Sequence, residues 1–267
     1  MATQQVVNLL FEAQRLVNLL IVVGTALLSV RLFATGLRRR YRVFFFYLVF
    51  ATLHLGALAI LPPKSNAYEY VWVLTEPLEW LFFVLVVLEI YSLVLEDYRG
   101  LATVGRWALI VAVLVALAAS GLSLMAPSRL TTQGHLMRYY YVAERAVYFS
   151  LAVFLLTILA FLMQYPISLS RNIIIHSMVF SLYFLGNTVL YLLLSMGGKA
   201  SMQWVAPAVA VIGLAAVCAW LALLSPAGEF RKQRLRPQWM PGREEELVSQ
   251  LNYLNTALLR VTGNRPK

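Results

Sequence analysis

The sequence predicts an all-α polytopic membrane protein: a bundle of seven transmembrane helices with a short cytoplasmic helix at the C-terminus. Composition is the first observation behind this. Of 267 residues, 61% are hydrophobic and 13% charged, where a soluble domain carries about 25% charged residues; mean hydropathy is +0.74. The second is segmentation. Apolar runs fall at roughly 16–37, 43–61, 70–95, 107–126, 142–165, 173–196 and 204–224, each close to the ~20 residues that cross a bilayer. The third is punctuation: proline, glycine and charge clusters separate the runs.

Charge sets the expected orientation. One side of the runs collects Arg38, Arg39, Arg40, Arg42, Arg99, Arg106, Arg171 and a basic tail, while the other has only Lys64, Arg129, Arg138 and Lys199. The basic side is expected to be cytoplasmic, which puts the N-terminus outside and the C-terminus inside an inner (plasma) membrane. The net charge of +10 then needs no nucleic acid to explain it. The first residues lack a basic n-region, so no cleavable signal peptide is expected. Cys218 is the single cysteine and excludes an internal disulfide.

In the first run Asn8, Glu12, Arg15 and Asn18 share a helical stripe. That stripe either lines an outward pocket or is an interfacial turn. Arg31 near the inner end is expected to snorkel to headgroups. The second run carries His54 in its outer half. His135 and His176 fall on opposite sides of the membrane, which argues against a three-histidine zinc site.

The third run is richest in acids, with Glu76, Glu79 and Glu89 among apolar neighbours. Ionisable groups at membrane depth face protein or water and often mark function. Pro77 allows two readings: a helix that starts there, or one that begins near Tyr70 and kinks. Glu89 lies roughly 10 Å from the inner end at about 1.5 Å per residue. It must pair or hydrogen-bond or carry a proton, and Tyr47, His176 and Arg31 are its candidate partners.

In the fourth run Ala108, Ala112, Ala116 and Ser120 form a small-residue face suited to helix packing. The fifth opens with three tyrosines, then Glu144 and Arg145. The sixth carries Tyr183, Asn187 and Tyr191, and Asn187 is either interhelical glue or a ligand contact. The seventh contains no lysine, so a retinal Schiff base is excluded. No cofactor is predicted. Residues 225–242 form a basic linker. Residues 243–262 carry Leu247, Leu251, Leu254, Leu258 and Val261 at four-three spacing, either a coiled-coil seam for a homodimer or cytoplasmic partner or an amphipathic helix docked on membrane or bundle.

The layout is similar to that of seven-helix receptors. Glu96-Asp97-Tyr98-Arg99 closes the third run, but in a different order from an acid–arginine lock, and the seventh lacks Asn-Pro-x-x-Tyr. The resemblance implies a layout and no function.

Four functions are weighed. A sensor or receptor would use Glu12, Arg15, His54, Glu76, Glu79, Glu144, Arg145 and Asn187 as an outward pocket. Its four acids against two arginines favour a cationic or amine-bearing ligand or a divalent metal, with no confident metal site. A proton-coupled transporter would use Glu89 and the outer acids as relays, and a scaffold subunit would recruit a partner through its tail. An embedded enzyme is the least supported, since no His-x-x-x-His, Gly-x-Ser-x-Gly or Cys-x-x-Cys occurs.

Overall fold

In the computed structural model the described residues are 2–62, 65–96, 98–123, 135–165, 167–197, 199–230, 232–233 and 243–261; side chains of 2–13, 119–139, 195–203 and 243–244 and of a few single positions lie outside the description. Among the described residues six helices are long and apolar enough to cross a membrane, and they carry the spans Gln14–Ala34, Arg42–Ile60, Asn66–Val94, Val142–Gln164, Arg171–Leu194 and Trp204–Leu223. They belong to α1 (Ala2–Ala34), α2 (Arg42–Ile60), α3 (Asn66–Val94), α5 (His135–Gln164), α6 (Arg171–Gly197) and α7 (Lys199–Leu223). Between α3 and α5 runs α4 (Arg99–Ser123), whose described apolar stretch is Gly100–Val115. A short α8 (Pro226–Phe230) and a separate α9 (Arg243–Val261) follow. The outer surface is apolar: Leu16, Leu20 and Val23 on α1 and Leu74, Leu78 and Leu81 on α3 are exposed. Such a face is stable where hydrocarbon replaces water.

Neighbours in the bundle follow a simple order. α1 packs between α2 and α7, α7 against α6, α6 against α5, and α5 against α4. α3 packs on α2 and also touches α4, α5 and α6. It is the central helix, and Phe83, Val86, Val87 and Ile90 are buried along it. Where α1 meets α2, Thr52 donates to Thr25 Oγ1 at 3.0 Å, a polar tie inside apolar packing.

Two connections explain the helix ends. Ser65 caps α3, its Oγ accepting from Tyr68 N–H at 3.2 Å. The helix then runs through Pro77, so of the two readings of that proline the continuous helix holds. Pro77 has no N–H for the Val73 carbonyl one turn earlier. That carbonyl instead accepts the Tyr140 hydroxyl of α5 at 2.9 Å. At the other end of the bundle α1 stops at Gly36, whose φ of 74° is open to glycine without strain. A 3₁₀ turn over Leu37–Arg39 follows, anchored by buried Leu37.

Three expectations are corrected here. Arg31 does not reach only for headgroups: it donates to the carbonyls of Leu221 and, at 2.7 Å, Leu224, satisfying orphan acceptors at the end of α7. Ala112 does not pack tightly; it is exposed and lines an apolar crevice of about 620 Å³ with Tyr91, Phe154 and Ile158. Leu109 and Val113 on the adjoining stripe of α4 are buried, as is Ala102 nearer its start. Ala108, Ala116 and Ser120 have side chains outside the described residues.

The third correction concerns the tail. α9 packs on α4 of its own chain. Leu251 is fully buried, and Asn255 Oδ1 accepts the Gly100 N–H at 2.8 Å, capping the start of α4 from another helix. A Cβ at Gly100 would lie 2.5 Å from the Asn255 carbonyl oxygen and 3.1 Å from Leu258 Cβ, so glycine permits this approach. Of the two readings of this stripe, a pairing seam or a helix docked on membrane or bundle, the chain takes the docked arrangement along Leu251 and Leu258, while Leu254 faces outward. Val261 has its side chain outside the described residues.

Candidate cation site

The central helix brings its acids to two different fates. Toward the end of the bundle away from the arginines, Glu76 and Glu79 stand about one turn apart on α3. α2 places His54 against them, and the ligand atoms of His54, Glu76 and Glu79 lie within 4.8 Å of one another. α5 adds Glu144, whose carboxyl lies beside that of Glu76. His54, Glu76 and Glu144 are 7%, 5% and 4% exposed. Two carboxylates in contact at such burial repel, and only a proton or a cation between them allows the approach.

Aromatic groups enclose the cluster. Tyr191 of α6 donates to Glu144 Oε1 at 2.6 Å, and Tyr148 of α5 lies beside the same carboxyl. Tyr47 and Tyr183 lie beside Glu79. Trp80 turns its indole toward Glu76 without a well-aligned hydrogen bond. The His54 ring stacks on Phe50, with centroids 5.8 Å apart and planes 6° apart. This leaves His54 Nδ1 buried with no hydrogen-bond partner. A buried lone pair left that way is costly unless something binds it.

Beneath the cluster the interior is packed with aromatic rings. Phe83 meets Tyr47, Tyr148, Tyr183 and Phe184 at centroid distances of 5.2 to 5.7 Å. Below that layer Phe180, Phe44 and Trp220 enclose His176. His176 is 1% exposed, and neither ring nitrogen has a partner.

At the arginine-rich end the acids are satisfied by the chain itself. Glu89 accepts from the backbone N–H groups of Val43 at 2.8 Å and Phe44 at 3.0 Å. It caps α2 from outside, where the helix dipole favours an anion. None of its expected partners is used: Tyr47 sits near Glu79, His176 is wrapped in aromatic rings, and Arg31 ends α7. Arg40 makes a bidentate pair with Glu96 at 3.1 and 2.5 Å and contacts Glu229 at 3.4 Å. Glu229 of α8 also accepts from Tyr41 at 2.8 Å and Asn172 at 3.1 Å. Burial, and next to it the charge of Glu229, hold the Tyr41 hydroxyl well above its ordinary pKa, so it stays a donor.

Of the eight residues expected to line a pocket, His54, Glu76, Glu79 and Glu144 come together. Asn187 is fully buried between Tyr183 and Tyr191 on one stripe of α6; its amide donates to the Tyr183 carbonyl at 2.8 Å and its Oδ1 has no partner. Arg15 is exposed on α1, Arg145 is half-buried, and the Glu12 side chain lies outside the described residues. Tyr148, Tyr191 and Trp80 belong to the site and were not singled out from sequence as its parts. A protein-family model, a curated protein or a solved structure that matches this chain was not found.

Proposed function

We propose that this chain is a seven-span membrane sensor that binds a first-row divalent metal ion such as Zn²⁺ or Mn²⁺ in its outward half. His54, Glu76 and Glu79 are the ligands and Glu144 is a neighbouring carboxylate. The orientation rests on the arginine asymmetry, and the seventh span on α4 continuing across the bilayer. The observation that carries the reading is the convergence of one imidazole nitrogen and two carboxylates within 4.8 Å, on a buried His54 whose Nδ1 has no hydrogen-bond partner. Tetrahedral donors at about 2.1 Å from one ion are about 3.4 Å apart, so small rotamer adjustments would close the set. A mixed nitrogen and oxygen set suits Zn²⁺ or Mn²⁺ better than Ca²⁺. Charge agrees: a divalent ion and one proton shared by Glu76 and Glu144 would neutralise three carboxylates.

An ion there would clamp α2 to α3, and through Glu144 would also engage α5. The same α2 and α3 are tied at the basic end by Glu89 and by Arg40–Glu96. A change of packing between them reaches α4, and with it α9. The outward residues of α9, including Tyr253 and Leu254, would then meet a cytoplasmic partner or a second copy. The aromatic layer around Phe83 supports sensing over transport, since it interposes rings between the two polar ends.

Thermal unfolding in nanodiscs tests the site. Saturation at about 100 times Kd contributes about 2.7 kcal/mol, a rise of about 5–10 °C at this chain length. His54→Ala and Glu79→Gln are each expected to abolish that rise. If both variants respond to Zn²⁺ and Mn²⁺ like the parent, the ligand assignment is wrong.

A further inference from the structure

We propose a second site, at the basic end: a cleft between the α1–α2 turn and α8 that binds the phosphate of an anionic phospholipid. The cleft measures about 450 Å³ and is lined by Phe33, Arg38, Arg39, Arg40, Glu229 and Phe230, among others. It shares no residue with the cation cluster.

Its charge is divided unequally. Arg40 is committed to Glu96 and Glu229. Arg38 and Arg39 are exposed, and among the described residues neither forms an ion pair. The Arg38 guanidinium lies 4.0 Å over the Phe33 ring, a contact that holds the planar group while leaving its N–H edge to donate to a pair of phosphate oxygens. The left-handed turn at Gly36 and buried Leu37 hold this segment in place, so two free guanidinium groups stand at one mouth.

Position selects a lipid over a free anion. The span of α1 ends at Ala34 and that of α2 begins at Arg42, which sets the cleft at the membrane boundary. Phe33 and Phe230 are 55% and 88% exposed beside the arginines. Soluble phosphate would leave both rings in water, whereas a phospholipid covers them with its glycerol and upper acyl carbons. Basic groups at this depth attract anionic lipid at about 1 kcal/mol each, and the cleft adds shape to that attraction.

The test compares unfolding in phosphatidylcholine nanodiscs with and without phosphatidylglycerol, alongside native mass spectrometry of retained lipid. Phosphatidylglycerol is expected to raise the midpoint by about 3–6 °C. The double variant Arg38→Gln/Arg39→Gln should lose most of this rise and retain fewer phosphatidylglycerol molecules, with its midpoint in pure phosphatidylcholine unchanged. Phe230→Ser, at an exposed position, should weaken the rise and supplies a second reading should the arginine variant prove unstable. The proposal is overturned if both variants keep the full rise. It is also overturned if Arg234→Gln/Arg236→Gln in the basic linker removes the rise while the cleft variants do not. An equal rise from inorganic phosphate in phosphatidylcholine discs would assign the cleft to a soluble anion and overturn the lipid.

Discussion

The two ends of α3 carry the same side chain in opposite circumstances. Glu89 faces the start of α2 and receives two backbone N–H groups, so its charge is met by a fixed dipole. Glu76, in the other half of the same helix, faces Glu144, with Glu79 and His54 beside it. The chain meets the carboxylate with backbone dipoles at one end, and among the described residues forms no ion pair with Glu76, Glu79 or Glu144 at the other. An acid with a built-in partner holds the fold together. A cluster of acids beside a bare imidazole nitrogen, with Glu76 and Glu144 more deeply buried than Glu89, is stable only with something added.

Neutralising each acid in turn tests this contrast most strongly. Glu89→Gln replaces a charged acceptor with an amide that offers one oxygen to two N–H groups and a donor where none is wanted. Hydrogen bonds to charged groups are worth about 1.5–3 kcal/mol, and a loss near 3 kcal/mol is expected in reversible unfolding of the metal-free protein. Glu76→Gln relieves a carboxyl–carboxyl contact, so the metal-free protein should be unchanged or more stable. If both substitutions destabilise alike, the two ends do not differ in the way described.

The next effect in size concerns the tail, which belongs to the self-satisfied end. Gly100→Ala would drive a Cβ to 2.5 Å from the Asn255 carbonyl oxygen, and backbone cannot yield as a side-chain tip can. Overpacking of this kind costs about 1–3 kcal/mol. The expected outcome is release of α9, read as lost hydrogen-exchange protection over 243–261 while the six spans keep theirs. Unchanged protection would mean that α9 is held mainly by Leu251.

What was legible in the sequence follows from the kind of signal each feature leaves. Six membrane-crossing helices were legible because apolar length is a local property; α2 begins and ends within a residue of the expected run. His54, Glu76, Glu79 and Glu144 stood out because polar groups at membrane depth are rare. Their convergence was not legible, since no periodicity states which helices are neighbours. The partner of Glu89 was missed for a sharper reason: backbone N–H groups have no letter in a sequence, so candidate side chains were named instead. The four-three spacing of Leu247 to Leu258 describes a buried stripe without naming its partner. Gly100, which decides that partner, sits about 150 residues earlier and reads as an ordinary break.

The smallest expected effect sharpens the contrast, because it asks whether the cation end also depends on fixed scaffolding. Pro77 lies between Glu76 and Glu79, and the carbonyl it leaves unpaired is held by Tyr140. Tyr140→Phe keeps the ring, and with it the contacts to Trp72 at 5.1 Å and Trp80 at 5.7 Å; only the hydroxyl is lost. Interhelical hydrogen bonds in membranes average about 0.6 kcal/mol, so stability should fall by that amount. The helix is then freer to bend at Pro77, and the two carboxyls lose their common orientation. A rise of about threefold in the metal dissociation constant corresponds to the same free energy. Calorimetric titration that finds this rise would mean the Tyr140 tie beside Pro77 sets the spacing of the ligands. An unchanged constant would mean that His54 and Glu79 hold their geometry by packing alone, and that the hydroxyl serves only the carbonyl Pro77 left behind.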